Sequence, residues 1–235
     1  MSDDTRRLAV LIDADNISAK VAKDVFEELA SYGTLTVKRA YGDWTTTQLN
    51  GWKDQLHAYA IAPMQQFAYT VGKNSTDSAL IIDAMDLLYA GHLDGFVIVS
   101  SDSDFTRLAT RLRESGMTVY GLGRRNTPEA FVAACDRFIY LDLLGKEQPQ
   151  STPAPSTTLE GMLSAAISST SRDDGWSSLG EVGAYLSKSN AAFDARDHGH
   201  SKLGELVRAQ PYVEVRDERG PTGISHLWVR LKPRR

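Results

Sequence analysis

The sequence has a single cysteine, Cys135, in 235 residues. Neither an intrachain disulfide nor a cysteine cluster for structural zinc can therefore form. No apolar run approaches the ~18 residues that cross a bilayer, and residues 1–7 are polar where a secretory signal would be apolar. We expect a cytoplasmic protein with no membrane partner, and we expect its stability to come from packing.

The sequence also lacks a basic excess, which is the usual mark of a nucleic-acid partner. Its 26 Lys and Arg and 30 Asp and Glu give a net charge of −4. The average hides an asymmetry, because residues 156–235 hold 11 basic and 10 acidic side chains. The acidic excess thus belongs to the first 155 residues, whereas the remainder carries a net charge of +1.

A segment rich in Pro, Ser and Thr, residues 148–158, is typical of a linker. It separates a predicted first domain, residues 1–147, from a predicted second domain, residues 159–235. The first alternates strand-type and helix-type segments, which predicts an α/β parallel sheet with crossover helices. Its strands are expected at 8–12, 34–41, 64–69, 95–100, 118–121 and 138–141, and its helices at 18–31, 46–59, 76–90, 104–115 and 128–134.

The second domain has a different pattern. Helical stretches are expected at 159–168, 178–188 and 201–209, and two β-type runs, 212–216 and 226–231, close the sequence. Three short helices and a terminal hairpin predict a small winged-helix α+β domain.

Four carboxylates lie where a parallel sheet collects ligands, outside the carboxyl ends of its strands. Asp13 follows the first strand, Asp102 and Asp104 follow the strand at 95–100, and Asp77 opens the preceding helix. Asp77 and Asp104 could equally act as N-terminal helix residues, which acids favour for structural reasons. If the two strands are neighbours, however, the four carboxylates repel one another unless a cation neutralises them. Oxygen ligands of this kind suit Mg²⁺ or Mn²⁺.

Three motifs resemble the signature blocks of the NYN domain, in the LabA-like branch of the PIN nucleases. They are LIDADN at 11–16, KNSTD at 73–77 and SSDSDF at 100–105, and the following RLATRLRESGMTVYGLG matches as well. The resemblance spans about residues 8–144 and implies a PIN-like sheet of strand order 3-2-1-4-5. It also implies metal-dependent RNA cleavage. On this resemblance Asp13, Asp77 and Asp102 are metal ligands, Asp104 is a further acid, and Asn16 orients water or phosphate.

Two other acids fit this assignment less well. Asp15 lies inside the first motif, and Asp83 follows Asp77 by six residues, well round the same helix, where it could be solvated or pair with a basic neighbour. The chemistry needs no His or Cys nucleophile, because a metal ion activates water and stabilises the leaving oxygen. We therefore expect a ribonuclease that leaves 5′-phosphate and 3′-hydroxyl ends.

Basic residues should surround an acidic pocket that receives a polyanion. Lys73, Arg124 and Arg125 are the candidates for RNA phosphate contacts, whereas Arg39 and Lys53 are more readily explained as surface charges. Trp44, in a predicted loop, is a candidate for base stacking. Tyr41 continues an apolar strand and is expected in the core.

The second domain resembles the OST-HTH, or LOTUS, domain through DGWSSLGEVGAYL at 174–186, GHSKLGELV at 199–207 and HLWVRL at 226–231. This resemblance implies RNA or a protein as the partner of the module. Lys202, on the third helix, is the leading RNA-contact candidate. Other basic residues are Arg208, Arg216, Arg219, Arg230, Lys232, Arg234 and Arg235, whereas Trp176 and Trp228 are expected in the core.

Two alternatives remain open from the sequence. The D-x-D of Asp13 and Asp15 is similar to the opening of haloacid dehalogenase-type phosphatases, but it lacks the Thr or Val expected after the second acid, and no long cap insertion follows. The other alternative is a non-catalytic RNA-binding or scaffolding protein. The sequence favours the metal-dependent ribonuclease.

Overall fold

A computed structural model describes residues 6–67, 75–144, 156–172, 174–219 and 225–232. The chain divides into two compact units, residues 1–145 and 146–235. Most of the predicted linker, residues 148–155, lies outside the described residues. Among the residues described, no helix combines the length and apolarity needed to cross a membrane.

The first unit is built on a six-stranded sheet in the order β3-β2-β1-β4-β5-β6. All of its pairings are parallel. Its strands are β1 (Arg7–Asp13), β2 (Thr34–Gly42), β3 (Ala62–Gln65), β4 (Gly95–Val99), β5 (Thr118–Gly123) and β6 (Arg137–Tyr140). The predicted PIN-like α/β class is confirmed, and β1 and β4 are neighbours, with Ile12 opposite Val99.

The central strands are buried on both faces, as parallel strands between helices should be. Residues 8–13 of β1 and 95–99 of β4 are all buried. Alternate β1 side chains, Leu8, Val10 and Ile12, pack in one core with Val25 and Leu29 of the first helix. This packing fixes the rigid edge from which the acidic side chains project.

In the described part of this unit five helices cross between the strands: α1 (Ala22–Leu29), α2 (Lys53–Ala58), α3 (Ser75–Ala90), α4 (Thr106–Glu114) and α5 (Glu129–Ala134). Three of them, α1, α2 and α4, follow 3-10 turns at Ala19–Val21, Thr47–Trp52 and Ser103–Phe105. The α-helical parts are therefore shorter than the sequence pattern predicts. A 3-10 turn of three to six residues is too short for its three-residue period to be told from the 3.6-residue period of an α-helix in the sequence, which explains the difference.

Where the structure describes the second unit, it has three helices, α6 (Ser156–Thr170), α7 (Leu179–Ser189) and α8 (Leu203–Arg208). Its antiparallel sheet has the order β7-β9-β8, formed by β7 (Ser177–Ser178), β8 (Val213–Arg219) and β9 (Ser225–Leu231). The α+β class is confirmed, whereas the two-residue strand β7 is too short for a sequence pattern to reveal. α6 begins at Ser156, three residues before the predicted domain start.

Candidate metal centre

Asp13 ends β1 and is the most buried of the predicted site residues, with 1% of its surface exposed. One carboxylate oxygen, Oδ2, accepts hydrogen bonds from Ser100 Oγ at 2.7 Å and Asn16 Nδ2 at 2.9 Å. The other, Oδ1, is buried and has no hydrogen-bond partner among the described residues. Burial raises the pKa of Asp13, and the hydrogen bonds from Ser100 and Asn16 oppose this shift.

Asp77, Asp102 and Asp104 form an acidic cluster in which one carboxylate oxygen from each lies within 4.8 Å of the others. Asp77 comes from the first turn of α3, and the two others come from the turn that follows β4. Asp102 caps this turn, because its Oδ1 accepts from the Asp104 backbone N–H at 2.9 Å. The side-chain cap thus falls on Asp102, whereas the sequence suggested N-terminal helix roles for Asp77 and Asp104, which lie in the first turns of α3 and of the 3-10 turn.

Within this cluster the surroundings of Asp77, which is 8% exposed, disfavour its charged form. Burial and then the negative charges of Asp13, Asp102, Asp104 and Asp15 raise its pKa to about 6. A divalent cation would remove this repulsion. The unpartnered buried oxygen of Asp13 and the all-oxygen donor set both fit a hard cation such as Mg²⁺ or Mn²⁺.

Ser100 links the two halves of the site, and sequence reasoning did not single it out. Its hydroxyl donates to Asp13 Oδ2 at 2.7 Å and accepts from the Asp102 backbone N–H at 3.1 Å. It is fully buried, directly after β4. The only signal in the sequence was its place at the head of SSDSDF, next to the acids.

Asn16 and Arg124 meet at the rim of the site. Asn16 is exposed, but its side chain holds Asp13, and its backbone carbonyl accepts from Arg124 Nη2 at 2.7 Å. The Arg124 backbone N–H donates to Ser101 Oγ at 2.8 Å. The exposed Arg124 is therefore placed at the rim beside Asn16 and Ser101, and its contact with RNA phosphate stays a prediction.

Two other residues predicted to contact RNA, Arg125 and Trp44, interact with neighbouring residues of the fold. Arg125 pairs with Asp142 at 3.1 Å and lies 4.6 Å from the centre of the Tyr140 ring. Trp44 is half-buried against the core, and its indole N–H donates to the Met64 carbonyl at 3.1 Å. Lys73 lies outside the described residues. Lys53 is exposed on α2.

Asp83 is turned away from the acidic cluster and belongs to a polar clamp between α3 and β2. Its carboxylate accepts from the Arg39 guanidinium and from the Tyr41 hydroxyl. Tyr41 is completely buried, as expected for a core residue, and its phenol pKa rises because of burial and the Asp83 charge. Arg39 is thus engaged in the fold and pairs with an acid of α3.

In the second unit Lys202 is exposed directly before α8. Several other basic residues pair with acids, including Arg208 with Asp217 at 2.7 Å and Arg230 with Glu214 at 2.7 Å. The guanidinium groups of Arg216 and Arg230 both lie 4.6 Å from the Trp176 ring, which is 7% exposed. Trp176 is therefore covered, in line with the expectation that it is not a base platform.

A parallel α/β sheet that gathers acids at the carboxyl ends of β1 and β4 defines a PIN-like domain. The profile of the NYN domain family matches residues 7–142, and the chain belongs to this family. The OST-HTH/LOTUS domain profile matches residues 154–225. Both resemblances recognised in the sequence are confirmed. A search among curated proteins finds no match.

Three solved structures are similar to parts of the chain. A protein of unknown function from Vibrio parahaemolyticus is 19% identical, with a TM-score of 0.49, covering 60% of this chain and 95% of its own. An uncharacterized Nitrosomonas europaea protein is 28% identical, with a TM-score of 0.32 and coverages of 39% and 85%. A Chromobacterium violaceum protein is 31% identical, with a TM-score of 0.28 and coverages of 35% and 87%.

Proposed function

We propose that the protein is a metal-dependent ribonuclease whose first unit cleaves RNA phosphodiesters and whose second unit binds the RNA. The observation that carries the proposal is the three-carboxylate cluster beside the buried, unpartnered oxygen of Asp13. Membership of the NYN family, whose fold is that of the PIN nucleases, supports the same chemistry.

Asp13, Asp77, Asp102 and Asp104 are the residues that would hold Mg²⁺ or Mn²⁺. The bound ion supplies Lewis acidity toward the phosphoryl oxygen and makes water a stronger nucleophile at neutral pH. The protein's own contribution is orientation. Two donated hydrogen bonds fix one oxygen of Asp13, and the capped turn after β4 sets the positions of the next two acids.

Binding of the polyanion requires cations at the edge of the acidic site. Arg124 supplies one beside Asn16, where it can contact a phosphate next to the one that is cleaved. Asn16 connects this cation to Asp13 through one side-chain hydrogen bond. Attack by water on the phosphorus with departure of the 3′ oxygen leaves 5′-phosphate and 3′-hydroxyl ends.

The decisive experiment is cleavage of labelled single-stranded and structured RNA by the full chain in Mn²⁺, Mg²⁺ or EDTA. We expect cleavage with either metal, none in EDTA, and a loss of at least about 100-fold in Asp13→Asn. Asp86→Asn is the matched control, because Asp86 is exposed on α3. Cleavage by Asp13→Asn at the wild-type rate in Mn²⁺ would refute the assignment. RNA binding without cleavage under any condition would favour the scaffolding alternative.

The RNA-binding role of the second unit rests on the OST-HTH/LOTUS match and on the exposed Lys202. Since the pairing of Arg208 and Arg230 with acids lowers the local positive charge, we expect moderate and strongly salt-dependent affinity. Absence of any contribution of this unit to RNA binding at low salt would favour a protein as its partner.

A further inference from the structure

A side cleft of about 380 Å³ adjoins the acidic site within the first unit. It lies between the segment that follows β1 and the turn that leads into α2, and Arg124 borders it. Asp15 and Asn16 line it too, so it shares residues with the rim of the metal centre. Its volume falls in the range of ~300–1,000 Å³ that is usual for small-molecule sites. None of the roles proposed above uses this space.

The lining of the side cleft combines apolar, amide and cationic groups with one acid, Asp15. Ile17 and Trp52 are 3% and 2% exposed, and the Trp52 indole N–H donates to the Ile17 carbonyl at 3.1 Å, which fixes this apolar part. Gln48 and Gln55 contribute two side-chain amides. The Gln48 amide N–H donates to the backbone carbonyl of Asp15 at 3.1 Å. Lys20 adds a second exposed cation to Arg124. A nucleotide has the matching parts: an apolar base face, polar base edges and an anionic phosphate.

We propose that the side cleft binds one unpaired nucleotide of the RNA, adjacent to the phosphate that is cleaved. This inference rests on the proposed ribonuclease function and specifies its substrate as single-stranded at the cut site. The link between the two sites is Asn16, whose side chain donates to Asp13 while its carbonyl accepts from Arg124. When one phosphate of an RNA chain lies at the acidic cluster, the next nucleotide of that chain therefore lies beside the side cleft. A paired base would have to leave its duplex to enter.

Gly51 offers a way to fill the cleft without touching the acids. It lines the cleft, and a Cβ built on it meets only the Ala19 Cβ at 3.7 Å, an ordinary contact. A leucine at this position can therefore be accommodated by the backbone while its side chain occupies cleft volume. Gly161 of α6 is the matched control, because a Cβ there meets nothing within 4 Å.

The test follows the indole N–H signal of Trp52 by NMR, identified among the four tryptophans with Trp52→Phe. Single-stranded RNA heptamers of each base are added to the full chain in Ca²⁺, an oxygen-seeking ion chosen to occupy the acids without supporting cleavage. We expect the Trp52 signal to shift, and we expect Gly51→Leu to weaken binding about tenfold. Gly161→Leu should bind as the wild type does, and thermal melting should show both variants folded.

Each outcome separates this inference from the nuclease proposal. An unmoved Trp52 signal at saturating RNA, or equal affinity of folded Gly51→Leu and wild type, overturns the nucleotide cleft even if the wild type cleaves RNA in Mn²⁺. A shifted signal that Gly51→Leu abolishes supports the cleft even if no metal supports cleavage, in which case the nuclease proposal alone fails. Failure of the heptamers to bind at all overturns the cleft as well.

Discussion

Replacement of Asp77 by Asn should stabilise the metal-free protein while removing its response to metal. The pKa of Asp77 rises from its ordinary value of 3.8 to about 6 in the folded state. The native protein therefore holds a proton that the unfolded chain has already lost, and stability falls as the pH rises from about 4 to about 7. At about 1.4 kcal/mol per pKa unit, the full cost of ionising Asp77 is about 3 kcal/mol at pH 7.5 and about half of that at pH 5.

Burial is the largest cause of this raised pKa and repulsion by the neighbouring acids comes second, and solvent around the exposed Asp104 screens part of that repulsion. We therefore expect Asp77→Asn to raise the free energy of unfolding by about 2 kcal/mol at pH 7.5 and about 1 kcal/mol at pH 5. The measurement is urea unfolding in EDTA, with the folded-state indole signal of Trp52 reporting on the first unit. The free energy of unfolding of Asp86→Asn should stay within about 0.5 kcal/mol of the wild-type value, because Asp86 is exposed on the same helix.

Addition of Mn²⁺ should make the wild type more stable than Asp77→Asn, the reverse of their order in EDTA. At a concentration of about 100 times Kd, binding to the native state stabilises the wild type by about 2.7 kcal/mol, and Asp77→Asn should gain much less because it has lost a ligand. A variant that is less stable than the wild type at both pH values in EDTA would refute the reasoning. Neither burial nor the neighbouring acids would then be disfavouring the charged form of Asp77.

Three further substitutions test other parts of the structure. Asp83→Asn should lower the free energy of unfolding by about 2–3 kcal/mol in urea titrations, because the amide offers Arg39 and the buried Tyr41 hydroxyl one acceptor oxygen in place of two and no negative charge; unchanged stability would show that the clamp contributes nothing. Lys202→Ala should weaken RNA binding two- to threefold in fluorescence anisotropy at about 0.1 M salt and reduce the slope of log Kd against log salt by about 1. An unaltered slope would contradict a phosphate contact there. Trp44→Ala should destabilise the protein by about 2 kcal/mol in urea titrations, since the indole packs on the core and donates a hydrogen bond. Unchanged stability together with lost RNA binding would instead favour base stacking by Trp44.

The sequence was sufficient to predict which acids lie near one another, because their positions depend on where the strands end. Asp13 ends the apolar run of β1, Asp102 follows that of β4 after two serines, and parallel neighbours present these strand ends at one edge. The one missing fact was that β1 and β4 are adjacent, which the family resemblance supplied and the sheet order confirmed. Strand periodicity alone does not determine strand order.

The partners of individual polar side chains were not accessible in this way. Nothing in the sequence distinguishes Ser100 from any other serine at the end of a strand. Its two hydrogen bonds depend on how the turn after β4 folds back. Trp44 follows Gly42 and Asp43, which predicts an exposed loop, yet its ring packs inward because the Met64 carbonyl accepts from it. Such contacts form between segments distant in sequence, so local composition carries no record of them.

Asp77 and Asp83 show how one helix can give two acids opposite surroundings. Six residues advance an α-helix by about 600°, which places the two side chains about 120° apart around its axis. Asp77 consequently faces negative charges that raise its pKa, whereas Asp83 meets the Arg39 guanidinium and the Tyr41 hydroxyl on β2. The clamp fixes the rotation of α3 against the sheet, and this rotation determines where Asp77 points. The favourable pairing of Asp83 therefore offsets the repulsion that a metal-free acidic cluster imposes on the same helix.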